Sequence, residues 1–67
     1  MRKELQKFGT VEKLDVENGV FHILITGFSG KLKDTAAVFK IVSEHRGDAV
    51  LISSKGMKGI CEIKLKW

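Results

Sequence analysis

Two alternating apolar–polar runs meet at Asn18-Gly19. The dipeptide suits a two-residue hairpin turn, because both central residues of such a turn need positive φ. That turn predicts a register: Glu17 opposite Val20, Val16 opposite Phe21, Asp15 opposite His22, Leu14 opposite Ile23, Lys13 opposite Leu24 and Glu12 opposite Ile25. Side chains alternate between faces along a strand. One face then collects Leu14, Val16, Phe21, Ile23 and Ile25 as a core. The other collects Lys13, Asp15, Glu17, Val20, His22 and Leu24, which is neither cleanly polar nor cleanly apolar.

From Leu32 to Arg46 the period changes. Leu32, Ala36, Phe39 and Val42 or Ser43 recur at helical spacing, and Val38, Ile41 and His45 widen the apolar side. Ser29 and Asp34 are alternative caps for the start. Gly47, preceded by His45 and Arg46, marks the end. Two further β-patterned runs follow, Ala49–Ser53 and Ile60–Trp67. A tight turn at Gly56-Met57 would set Ile52 opposite Cys61 and Val50 opposite Ile63. It would put Cys61, Ile63, Leu65 and Trp67 on the core face. Residues 2–8 are expected to add a short helical turn through Leu5 and Phe8, ended by Gly9.

The reading is an α+β fold in the order ββαββ: a four-stranded, mainly antiparallel sheet with one helix packed on one face, forming one small domain over residues 1–67. Strand order stays open, because the helix can join the hairpins in more than one arrangement. One helix covers one sheet face. The other face is expected to carry Val11, Val20, Leu24, Leu51 and Ile60 among charged residues. A second copy of the chain is the simplest cover for such a face.

Composition narrows the function classes. At 67 residues there is little scaffold for a deep catalytic cleft. No apolar run reaches the roughly 18 residues of a membrane span. The start MRKELQKF has no apolar segment behind its basic residues, so no secretory signal is expected there. One cysteine makes no internal disulfide. These features point to a cytoplasmic protein without a membrane role. The formal charge is +4. Charges within residues 1–18 cancel, so the whole excess lies beyond them, which suits an anionic partner.

The stretch Gly27-Phe28-Ser29-Gly30-Lys31, between strand and helix, has the order of a phosphate cradle. Its spacing departs from each phosphate or nucleophile motif. A Walker loop needs four residues between its glycines and a hydroxyl after the lysine, whereas here two residues intervene and Leu32 follows. A dinucleotide fingerprint needs a third glycine, and a nucleophile elbow needs G-x-S-x-G. A plain strand-to-helix turn is the simpler reading, with Phe28 plugging the core.

Gly56-Met57-Lys58-Gly59 has the G-x-x-G spacing of the KH loop, but that loop joins two helices, and this one joins two β-patterned runs. What remains is a basic hairpin: Lys55, Lys58, Lys64 and Lys66, with Lys31 and Lys33 at the helix start, as candidate anion or nucleic-acid contacts. Aromatic residues fall on the core face, which argues against a base-stacking platform. His22 opposite Asp15 reads as a cross-strand pair, since no nucleophile is placed beside it. Two histidines and one cysteine show no metal-ligand spacing. Cys61 reads as a small buried hydrophobe. No catalytic residue, metal or cofactor is therefore assigned. The sequence supports a non-enzymatic, self-associating binding module, in the simplest case a homodimer, whose partner is otherwise another protein. The alternative is a nucleic-acid-binding protein that contacts phosphates through the basic hairpin.

Overall fold

The computed structural model describes residues 1–66; the placement expected for Trp67 lies outside them. A short helix α1 (Arg2–Leu5) runs into a 3-10 turn (Gln6–Phe8). Strands β1 (Thr10–Glu17) and β2 (Val20–Thr26), helix α2 (Leu32–His45), and strands β3 (Val50–Met57) and β4 (Ile60–Lys66) follow. The sheet has the order β1-β2-β4-β3, and every neighbouring pair is antiparallel. The ββαββ expectation thus holds. The helix connects β2 to β3, which run parallel with β4 between them. β2 and β4 are interior, and β1 and β3 are the two edges.

The first hairpin turns at Asn18 (φ 53°) and Gly19 (φ 76°). Its register runs as the sequence predicts from Glu17–Val20 to Lys13–Leu24 and then breaks. Glu12 is an extra residue, a β-bulge, so that Val11 rather than Glu12 faces Ile25. The bulge returns Val11 to the helix side of the sheet, where it is buried. Val11 is therefore not on the opposite face, contrary to the regular-strand expectation.

The second hairpin turns two residues later than Gly56-Met57. Met57 pairs with Ile60, Gly56 with Cys61, Lys55 with Glu62 and Ser54 with Ile63. Lys58 and Gly59 form the turn, and Gly59 supplies the positive φ, 97°. A further contact holds it there. The Gly59 amide donates to the Phe28 carbonyl at 2.7 Å, and the Gly27 amide donates to the Gly59 carbonyl at 3.0 Å. The turn is thus chosen by a partner distant in sequence. A second bulge, at Ile52, sets Leu51 opposite Leu65 on the helix side. Leu51 too leaves the face expected for it.

The core lies between α2 and the interior strands. Ile23, Ile25, Ile63 and Cys61 point up from β2 and β4, and Val38 and Val42 point down from the helix. Phe28 fills the end of this layer at 2% exposure, and Leu5 of α1 fills its β1 flank at 0%. The buried helix stripe is therefore centred on Val38 and Val42. Leu32, expected in the core, is 84% exposed. The Gly27–Lys31 link fixes that rotation. Phe28 takes the core position, and Gly30 (φ 79°) passes so close to Lys58 that a Cβ there would lie 2.5 Å from its backbone nitrogen. Ser29 and Asp34 act together at the helix start. The Ser29 hydroxyl donates to the Asp34 carboxylate at 2.6 Å and accepts the Lys31 amide at 3.2 Å.

Candidate interaction surface

The lysines singled out by the sequence do not form one patch. Lys31 and Lys33 are exposed in the helix layer. Lys55, Lys64 and Lys66 lie on the opposite face of the sheet, where Lys55 stands directly opposite Glu62. Lys58 sits at the rim, on the turn that packs against Gly30. Lys55 and Lys58 do not face each other, as a turn at Gly56-Met57 would have made them do.

Around Gly27–Lys31 the amides of Gly27 and Lys31 already have partners within the chain. The Asp34 carboxylate occupies the first turn of α2, where the helix dipole favours negative charge.

On that opposite face Val20 and Leu24 are half-buried and Ile60 is 39% exposed. Charges separate them. The His22 imidazole meets the Glu62 carboxylate at 3.0 Å rather than Asp15, its neighbour across the hairpin. His22 and Glu62 are diagonal neighbours on β2 and β4, within reach for long side chains. This contact holds the Glu62 carboxyl below its ordinary range, with Lys64 adding to the effect. Nearby, Lys13 reaches Glu17 at 2.6 Å along β1, which raises the lysine and lowers the glutamate.

The feature that sequence reasoning missed is the difference between the two flanks of α2. On the β1 side the fold is closed. There α1 packs against both α2 and β1. The Arg2 guanidinium donates to the Val11 carbonyl at 3.2 Å, and His45 meets Glu4 at 2.9 Å. Arg2 thus occupies a backbone acceptor of the β1 edge, and the Glu12 bulge interrupts that edge.

On the β3 side the fold is open. All eight residues of β3 are exposed. Helix and strand approach closely at one end, where a Cβ on Gly56 would lie 3.0 Å from the Thr35 methyl group. Toward the other end they part over a groove of about 200 Å³. Phe39, Val42 and Ser43 line its helix wall, Ala49 and Leu51 its strand wall, and Ile63 and Leu65 its floor. The Arg46 guanidinium closes the end of the helix, 4.2 Å above the Phe21 ring. By helical spacing Leu32 and Ala36 continue the Phe39–Ser43 stripe along this flank.

Signals of this surface exist in the sequence. The helix carries more apolar positions than one sheet face covers, and Val50-Leu51-Ile52 is an unbroken apolar run beside a polar one. Among the described residues no group of three or more acidic, histidine or cysteine side chains is arranged to hold a metal. No helix there is long and apolar enough to cross a membrane. No protein-family model, curated protein or solved structure matches the chain significantly.

Proposed function

We propose that this chain is a non-enzymatic interaction module that works as a self-associated unit, in the simplest case a homodimer. One observation carries the reading: the open flank of α2. An edge strand presents unpaired backbone donors and acceptors, and proteins ordinarily blunt such edges. Here the β1 edge is blunted and the β3 edge carries Val50 at 67% exposure with Leu51 and Ile52 each at 51%. An apolar groove adjoins it. Apolar surface rimmed by polar residues is characteristic of interaction sites.

Phosphate contact through the basic residues ranks second. Its six lysines are divided among the helix layer, the far face of the sheet and the rim turn, and Glu62 stands among those on the sheet. Sedimentation equilibrium from low to high micromolar concentration tests the leading reading. Self-association predicts a mass that rises to twice that of the chain. A monomer throughout that range overturns it.

A further inference from the structure

The geometry points to the partner's place: we propose that two copies join edge to edge through β3, antiparallel about a twofold axis, into one eight-stranded sheet. This rests on the self-association reading and fixes its surface. Three observations lead to it.

The first is the asymmetry of the flanks. At the β1 edge the chain covers itself with α1, and at the β3 edge nothing in the described residues does the same. A twofold axis perpendicular to the sheet puts both α2 helices on one face of the joined sheet. The Leu32–Ser43 stripes of the two helices then face each other across the seam, above the two grooves. The 84% exposure of Leu32 acquires a reason there.

The second is register. Side chains paired directly across a ladder share a face. Ser54 and Gly56 lie on the helix side with Leu51, whereas Ser53, Lys55 and Met57 lie on the other side with Val50. A twofold centred on Ser54 matches these faces throughout, with the Ile52 bulge accommodated once in each strand. It sets Ser53 opposite Lys55 and Val50 opposite Met57. A centre at Lys55 would stack two like charges, which is destabilising.

The third is charge. Asp48 precedes β3 and Lys58 follows it. Antiparallel pairing in that register sets Ala49 opposite Lys58, so Asp48 of each copy is the next-residue neighbour of Lys58 of the other. A parallel arrangement would place like beside like at both ends.

Two sets of variants of the full chain test this. Asp48→Lys and Lys58→Asp each turn two attractive pairs into repulsive ones, and each is expected to weaken the dimer about tenfold. The double variant restores the pairs and is expected to recover most of the affinity. Ser54→Cys brings two thiols together at the twofold, since directly opposed strand residues have Cα atoms about 4.5–5.5 Å apart and disulfides span ~4.4–6.8 Å. Mild oxidation should then yield a covalent dimer. The native Cys61 is fully buried and does not compete, and Glu17→Cys at the far edge serves as the control. Circular dichroism confirms folding of each variant.

Cross-linking at Ser54 but not at Glu17, with mutual rescue of the charge reversals, supports the edge-to-edge dimer. A dimer that neither cross-links at Ser54 nor responds to the reversals overturns it while leaving self-association standing. A monomeric parent chain overturns both.

Discussion

At the residue scale, a few side chains hold a small core together. Ile63 is 1% exposed and lies on an interior strand beneath the helix. Ile63→Ala should cost about 2–5 kcal/mol. That is a large share of the total available to a domain this small, so urea denaturation should show an early midpoint or no folded baseline. Gly30→Ala should also destabilise, because it places a Cβ against the Lys58 backbone at a positive φ. Gly47 is the control. Its φ lies outside the left-handed region, and an added Cβ would make only an ordinary 3.6 Å contact with the Ser43 carbonyl. Gly47→Ala should be neutral or slightly stabilising, by up to about 1 kcal/mol.

Burial also predicts chemistry for Cys61. It pushes the thiol up and denies reagents access. Labelling by a thiol reagent should be slow in buffer and fast in denaturant; fast labelling in buffer would contradict the core placement. Glu62 predicts the pH response. Its carboxyl is lowered in the folded chain, first by the His22 contact. The stabilisation is present above the ordinary glutamate range and is lost as pH falls through the lowered value. Glu62→Gln should therefore make stability less sensitive to acid, by a small amount because the pair is only partly buried and solvent still screens it. An unchanged acid profile would show that the contact contributes nothing.

At the scale of elements, local signals were legible and long-range choices were not. Asn18-Gly19 carries its own turn preference, so the first hairpin could be read down to Lys13 without knowledge of the rest. The Glu12 bulge could not, because it serves to return Val11 to a core that includes Leu5 and α2. The second hairpin shows the same limit. Gly56-Met57 is a good local turn, but the actual turn is held by hydrogen bonds to Gly27 and Phe28. The helix was legible in extent, while its rotation depends on Phe28 entering the core ahead of Leu32. Both bulges moved residues between faces, which is why Val11 and Leu51 left the expected surface while Val20, Leu24 and Ile60 stayed.

The bulge reading has its own test. Deleting Glu12 leaves Val11 opposite Ile25 and Lys13 opposite Leu24 in a regular ladder. The chain should still fold, at a cost of about 1 kcal/mol from the Glu12 contact to the Thr26 hydroxyl. Loss of folding would mean that Glu12 is an ordinary pairing residue.

At the scale of the whole molecule, the proposal rests on the distribution of surface rather than on net charge. The basic excess is real, but the fold spreads it over both faces. The apolar excess is concentrated on one flank, beside a strand that no other described residue covers. That contrast is what places self-association ahead of phosphate binding. It is also why the proposed surface is an edge of the sheet rather than its open face.

Amide hydrogen exchange, followed across β3 at low and high protein concentration, tests this central claim most directly. Pairing at the edge predicts that exchange slows within Val50–Met57 as concentration rises, with β1 unchanged. Equal exchange in β3 at both concentrations, in a chain that sediments as a monomer, would contradict it.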